Sequence, residues 1–552
     1  MHPAVASMPP VSLLVLALVA TQGRSPNWQP RYCTRVPFSV PAMSSTARDG
    51  YVLAAVGVLT RHGARAPGQK SVCWNGFDPD KITWSCQEPA SSWTLDGHEF
   101  VLRYTGSPSS IGTSSSCAAG QLLDEGRKQQ RALGRALRGA YVGANASVSP
   151  LFRDGVPPYG SPGLAFRSTS LERALISGQE LISGFVEGSP TSDRPFEWVI
   201  GDHNQEWLFA NPEACPRLRE LAVQADAAYA ASVRGARERR TRTALEATVG
   251  VGVLSTLRGN AALDCLMTTA CQAAVDPGAK LPAALSAPLR DEAWAVMQDS
   301  EAHLLSHNDA AWSRLAMGPL ASEILARARC AAAGFYGCPR LSLWSAHDTS
   351  VMPFLAAVGV HDGQWAPYAA NVVVETWRAA DTKHHDRPTA IVRLLYNGED
   401  VTNRLPGCEG DGPCDFGAFE EAIVTWALEG EAWREACELQ GDGNGSQVSA
   451  SRSATPPAAG AAPRPGLPRV LVACLALGVG VALVVGAAVS LAPRTRMREG
   501  REERAPLNDA AVQLAVPFIR FTSPRSDAEH VAAGAVLDAS SGSSEYSMPR
   551  EP

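Results

Sequence analysis

Tyr51 to Leu59 is an apolar run closed by Arg61-His62-Gly63-Ala64-Arg65-Ala66-Pro67, and this junction limits the fold more than any other part of the chain. The run is too short for a typical helix and rich in Val and Leu, so it reads as a buried strand entering a tight turn. Strand carboxyl ends in open α/β sheets are where ligands bind. Two guanidiniums converging on one imidazole repel each other unless an oxyanion lies between them. Phosphate suits that place, because the planar guanidinium fork matches its oxygens. A basic surface turn is the plainer alternative, since Lys and Arg total 49 and almost all of them are Arg.

Two further apolar stretches set the expected topology. Val11 to Ala20 is short, ends near small residues and lacks a basic leader, so residues 1–23 read as a signal peptide. Val470 to Leu491 has 22 uncharged residues, enough to cross a bilayer. Arg494, Arg496, Arg498, Arg501 and Arg504 follow it, which makes that side cytoplasmic by the positive-inside rule. The expectation is a single-pass type I membrane protein of the secretory or endosomal-lysosomal pathway or cell surface. Its ectodomain would span 24–439, its stalk the Ser-, Ala- and Pro-rich 440–469, and its tail 492–552. The tail has few aromatics and no sustained periodicity, so it reads as largely disordered. Tyr546-Ser547-Met548-Pro549 is discounted as a sorting signal because it ends in Pro.

Twelve of the 13 Cys lie between the two apolar segments and the other, Cys474, lies inside the second, a distribution that suits disulfides formed in an oxidising compartment. The sequons at Asn145 and Asn444 are expected glycosylation sites on the same side. The net charge of −6 is too small to decide a partner, and nothing suggests nucleic-acid binding.

Strand and helix patterns alternate. Gln121 to Tyr141 is helical, Leu164 to Phe166 a short strand, and Leu171 to Phe185 helical again. From Asn204 to Cys330 the chain is Ala-rich and helical. Arg340 to Ala346 returns as a strand, followed by a helical Val351 to Val358, and Tyr368 to Trp377 and Ala390 to Tyr396 form an antiparallel pair. The class is α/β: a doubly wound sheet domain with a smaller helical cap at about 204–330.

Two more strand ends carry polar groups. Arg167 closes one, with Ser168, Thr169 or Ser170 as caps for the next helix. His347-Asp348 closes another, with Thr349 or Ser350 opening its helix. If these strands are neighbours, His347 adds a donor for phosphate and Asp348 a proton for a departing alkoxide. His361-Asp362 is an internal control: the same dipeptide follows a helix and sits in a Gly-containing loop.

The RHGARAP stretch, Gly120-Gln121-Leu122 with Glu125-Gly126 and Leu133-Gly134, Phe166-Arg167-Ser168-Thr169 with Glu172-Arg173, and Ser345-Ala346-His347-Asp348-Thr349 resemble the histidine acid phosphatases. The likeness is to the lysosomal, prostatic and membrane-bound members, over roughly Tyr51 to Cys437. It implies metal-independent phosphomonoester hydrolysis with no cofactor. His62 would be the nucleophile, forming a phosphohistidine. Arg61, Arg65, Arg167 and His347 would hold the phosphoryl oxygens. Asp348 would be the general acid, protonated at an acidic working pH. The resemblance also implies Cys215–Cys437 and Cys408–Cys414. The family partner of Cys265 is here Asn371, so Cys265–Cys271 is expected instead, with Cys330–Cys338 as a local pair. Cys33, Cys73, Cys86 and Cys117 stay unassigned.

The expected substrate is a small-molecule phosphomonoester or a phosphoprotein, and a homodimer stays open. A phytase or inositol-polyphosphate phosphatase shares the motifs, and Arg234, Arg237, Arg239, Arg240 and Arg242 could supply the basic pocket it needs. A catalytically inactive receptor-like ectodomain is the alternative from another class. Gly250-Val251-Gly252 lacks the third glycine of a dinucleotide loop. His384-His385-Asp386 reads as a polar turn rather than a metal site.

Overall fold

The computed structural model describes residues 28–438 except 34–37, 69–72, 87–89, 96–97, 104–116, 157–162, 190–195, 251–260 and 381–388. The expected signal peptide, stalk, membrane span and tail, Asn444 and His384-His385-Asp386 lie outside the described residues. Among the described residues, no helix is long and apolar enough to cross a membrane.

The chain runs α1 (Trp28–Cys33), α2 (Ser45–Arg48), β1 (Tyr51–Arg61), β2 (Ala90–Leu95), β3 (His98–Arg103), α3 (Asp124–Tyr141), β4 (Leu164–Ser168), α4 (Glu172–Val186) and β5 (Val199–Ile200). The helices α5 (Arg217–Ala231), α6 (Val233–Val249), α7 (Ala261–Gln272) and α8 (Ala287–Ala333) follow. Then come β6 (Leu341–Ala346), α9 (Asp348–Ala357), β7 (Asn371–Ala379), β8 (Ala390–Tyr396), β9 (Glu399–Asp400), β10 (Cys414–Asp415), α10 (Phe416–Val424) and α11 (Gly430–Ala436).

β1 lies near the middle of a mixed sheet ordered β10-β8-β7-β1-β6-β4-β5, with β9 beside β8. β1, β6, β4 and β5 run parallel, and β7, β8 and β10 antiparallel. The register pairs Arg61 with Ala346, and Ser345 with both Thr60 and Ser168. Three strand ends therefore stand side by side, and the residues that leave them share one edge.

The strands alternate between two cores, as period-two geometry requires. Val58, Leu341, Leu343 and Val373 pack on α3 and α4 through Leu137, Leu181 and Phe185. Leu59, Trp344, Val372 and Val374 face the other way, onto Val351 and Phe354 of α9 and Leu320 and Ile324 of α8. Each fully buried side chain of this size contributes about 1.5–3 kcal/mol. The sheet thus has helices on both faces, as a doubly wound α/β fold requires.

α8 is two helices broken at His307–Ala310, where Asn308, Asp309 and Ala310 take positive φ of 49°, 56° and 55°. Its second arm belongs to the sheet core. The first arm joins Leu245 of α6 and Leu263 and Leu266 of α7 in a separate cluster through Trp294, Val296 and Met297. Tyr32, Ala64 and Tyr368 enter that same cluster, which sets it against the loop after β1.

Disulfides join Cys215–Cys437, Cys330–Cys338 and Cys408–Cys414. The expected Cys265–Cys271 is not formed. Cys265 bonds Cys73, Cys271 bonds Cys33, and Cys86 bonds Cys117. Sequence proximity misled the pairing: both residues lie on α7, and each reaches a different segment outside it. Asn145 is exposed in a turn.

α3 and α4 touch through glycines. A Cβ on Gly134 would lie 1.9 Å from the Leu181 carbonyl oxygen, and one on Gly184 would lie 2.2 Å from that of Arg131. Gly134→Ala should therefore destabilise the fold by about 1–3 kcal/mol, as overpacking does. Urea denaturation checks this, and an unchanged midpoint would show that the helices separate freely.

Candidate active site

His62 is the first residue beyond β1 and is 2 % exposed. Its backbone N–H donates to the Ala346 carbonyl at 3.0 Å, which continues the β1–β6 ladder by one bond. The loop is then held from the helices. Gly63 N–H donates to Ser177 of α4 at 3.1 Å, and Ala64 N–H to Gln129 of α3 at 2.9 Å. Gln130 donates to the Arg61 carbonyl at 2.6 Å. A Cβ on Gly63 would fall 2.2 Å from the Gly126 carbonyl oxygen, and one on Gly126 2.2 Å from that of Ala64. Both glycines are required for the loop to lie this close to α3.

The imidazole Nδ1 of His62 lies 2.8 Å from the Gly63 carbonyl oxygen. A carbonyl only accepts, so this partner assigns the proton to Nδ1 and, in the neutral ring, the lone pair to Nε2. The ring is neutral over a wide range. Burial, followed by the charges of Arg61 and Arg173, holds its pKa well below the ordinary imidazole value. His347, 5.5 Å away ring to ring, is depressed by burial and by Arg173 in turn.

Arg61 is fully buried, lies 2.9 Å from Asp348 Oδ2 through Nη2, and sits over the rings of Tyr32 and Tyr368. Arg65 makes a double contact with Asp264 of α7, at 2.8 and 3.1 Å. Burial opposes the charge on Arg65, but Asp264, Tyr368 and Tyr32 together more than offset it and raise the pKa. Asp348 also accepts from Trp365 Nε1 at 2.9 Å. Its burial favours protonation, yet Arg61, Arg65 and the Trp365 bond hold it down at about 2. Arg61 and Arg65 thus stabilise the carboxylate form of Asp348 and oppose the protonation expected of a general acid.

Arg167 stands at its strand end but is turned to other work. It bonds Glu206 at 2.7 Å and stacks over Trp207 at 4.1 Å. It is not among the charges acting most strongly on His62 or His347, whereas Arg173 is prominent in both. Burial and the charge of Arg65 bring Arg173 down to about 10, and its Nε–H, like those of Arg61, Arg65 and Arg167, is buried without a hydrogen-bond partner among the described residues. Nor do Ser168, Thr169 or Ser170 cap α4, whose N-cap is Leu171. Ser168 accepts from Trp198 at 2.9 Å, and Thr169 lies 2.9 Å from His347 Nε2. Among the described residues, His361-Asp362 forms local turn contacts beyond α9.

Residues 52–397 match the histidine phosphatase superfamily (branch 2). The chain belongs to that superfamily. Human testicular acid phosphatase is 30% identical over 60% of this chain and 74% of its own. Bovine lysophosphatidic acid phosphatase type 6 is 25% identical over 76% and 94%. Zebrafish (Danio rerio) 2-phosphoxylose phosphatase 1 is 27% identical over 67% and 77%. Among solved structures, the apo phytase of Hafnia alvei covers 71% of this chain and 99% of its own at 13% identity and a TM-score of 0.43. The histidine phosphatase described here is an enzyme of the phosphoric-monoester hydrolase class.

Sequence reasoning named His62, Arg61, Arg65, Arg167, His347 and Asp348; the fold gathers five of them at one sheet edge, while Arg167 bonds Glu206. It quoted Glu172-Arg173 only as a landmark. The available signal was position: Arg173 lies in the first turn of the helix that follows a site strand. Asp264, Tyr32 and Tyr368 carried no such signal, since their approach depends on how the helical segment packs.

Neutral buried histidines link stability to pH. The unfolded imidazole protonates near pH 6.5, while the folded one does so only lower. Below about pH 6.5 the unfolded state binds the extra proton, so stability falls on acidification by up to about 1.4 kcal/mol per pH unit for each such histidine. His62→Asn should flatten that slope, which denaturant titrations at a series of pH values would show. An identical slope in parent and variant would mean that His62 protonates freely in the fold.

Proposed function

We propose that this histidine phosphatase is an acid phosphatase that hydrolyses phosphate monoesters through a phosphohistidine at His62. One observation carries the reading: the Nδ1 bond to Gly63 leaves the Nε2 lone pair of a neutral ring within a buried cationic cluster. Neutrality persists at low pH, so the nucleophile survives where the reaction is run. The Nε2 lone pair forms a bond to phosphorus as the P–O ester bond breaks. Asp348 gives its proton to the departing oxygen. Water then attacks phosphorus, the N–P bond breaks, and the water proton returns to Asp348.

The depressed Asp348 fits this sequence once substrate is present. A phosphate dianion engages Arg61 and Arg65, the groups that hold the carboxylate ionised, and adds negative charge beside it. Both effects raise the pKa of Asp348, so the acid forms in the complex. Arg61, Arg65 and Arg173 hold the phosphoryl oxygens with His347. Arg167 braces Glu206 and the 206–209 segment, whose Phe209 meets the His347 ring at 5.8 Å.

The inositol-polyphosphate reading is less well supported. Arg237 makes a double contact with Glu292, with both distances 2.6 Å, and Arg234 lies 3.3 Å from Asp299. The cations on α6 that would grip extra phosphates are thus partly neutralised. The intact site weighs against an inactive receptor. The six disulfides support an oxidising compartment. In this reading α5 to α7 and the first arm of α8 form the cap, and 470–491 anchors the ectodomain to a membrane.

Purified protein should release phosphate from a chromogenic ester at acid pH, with or without chelator. His62→Ala should abolish turnover and remove an acid-labile, base-stable phosphoenzyme; a fully active variant would overturn the nucleophile assignment. Arg173→Ala should cost about 10²–10³-fold in kcat, the scale for losing one preorganised donor, and Arg167→Ala far less. The reverse ranking would restore Arg167 to the phosphate. Asp348→Asn should slow alkyl phosphates about 10²–10⁴-fold while barely affecting activated aryl esters. Equal losses on both would assign the carboxylate a structural role.

A further inference from the structure

Residue 52 is where the superfamily match begins, yet a side chain from well before it reaches the catalytic centre. Tyr32, at the end of α1, is 3 % exposed, and its hydroxyl accepts from Arg61 Nη2 at 3.1 Å. Its ring packs edge-on to Trp294 of α8, with centroids 5.0 Å apart, and lies 4.9 Å from Tyr368. The backbone around it is tied as well. The Tyr32 carbonyl accepts from Tyr368 N–H at 3.2 Å, and that of Cys33 from Gln129 Nε2 at 2.9 Å. Gln129 is also the residue that holds Ala64 N–H in the His62 loop. Cys33 is then bonded to Cys271 of α7, the helix whose Asp264 grips Arg65.

Both terminal nitrogens of Arg61 are engaged. Nη1 goes to the Ala366 carbonyl, and Nη2 serves both Tyr32 and Asp348, the latter at 2.9 Å. Nη2 carries two hydrogens, so the phenol and the carboxylate each take one. We propose that Tyr32 is a positioning residue of the active site, held over Arg61 by the Cys33–Cys271 bond, and that its hydroxyl fixes the plane in which the guanidinium faces Asp348 and the phosphate. The assignment rests on the phosphatase reading above. Removing the hydroxyl would leave one N–H without its partner and let the guanidinium turn. The carboxylate would then lose part of its stabilisation, and the phosphate part of its grip.

Tyr32→Phe keeps the ring packing and removes only the hydroxyl. It should lower kcat/KM on alkyl and activated aryl esters alike about three- to tenfold, and move the pH limb attributed to Asp348 upward. Inorganic phosphate should bind about threefold or more weakly by calorimetry, on the scale of a lost charge-assisted bond. Cys33→Ser with Cys271→Ser should reproduce these changes, and adding Tyr32→Phe to that pair should change little more. A uniform loss on both esters with an unmoved pH profile would reduce Tyr32 to a packing residue, and unchanged kinetics and phosphate affinity would overturn the assignment. A parent without turnover would refute the phosphatase reading alone, because phosphate affinity still reports whether Tyr32 sets Arg61.

Discussion

The structure depends on burying positive charge around an imidazole that must stay neutral. Isolated charges taken from water are expensive, and even a good ion pair recovers that cost only with further hydrogen bonds. Here the arginines are held one by one. Arg61 has Asp348, Arg65 has Asp264, and Arg167 has Glu206. Arg173 pairs with no carboxylate among the described residues, and the Nε–H groups of all four arginines are buried without a hydrogen-bond partner there. The cluster thus retains an excess of positive charge, which suits an anion and depresses the histidines together.

The carboxylates come from distant parts of the chain, so the site cannot exist without the whole fold. Asp348 opens α9 beyond β6, Asp264 lies on α7, and Glu206 follows β5. The sheet register brings the first to Arg61. The second depends on the helical segment, and Cys73–Cys265 fastens α7 to the chain beyond Arg65. Gly63 and Gly126 let the loop after β1 rest on α3 at a separation that any side chain would prevent. Loop and helix then share hydrogen bonds through Gln129 and Gln130. Rigidity at His62 is therefore a product of backbone contact as much as of ionic pairing.

Much of this was legible in the sequence, for physical reasons that operate over short distances. Strand and helix periods show in the apolar pattern, so β1, β6, β8, α3 and α4 were located within a few residues. His62, the arginines on either side of it and the His347-Asp348 pair lie at strand ends, where α/β sheets place their ligands. Arg167 shows the limit. It satisfies the same local rule, but Glu206 and Trp207 claim it, and a partner 39 residues away in sequence leaves no local trace. The cysteines behave likewise. Six positions separate Cys265 from Cys271, yet packing of α7 against two other segments decides their bonds.

Composition and spacing by themselves determined an α/β sheet, a phosphate-suited motif and the strand ends that carry it, because those features are written in local periodicity and residue chemistry. Only the tertiary structure decided which arginines surround His62, which cysteines pair, and that Arg61 and Arg65 stabilise the Asp348 carboxylate. It also brought Tyr32 onto Arg61. Each of these outcomes is set by distance in space and by burial, and both arise only when remote segments share one interior.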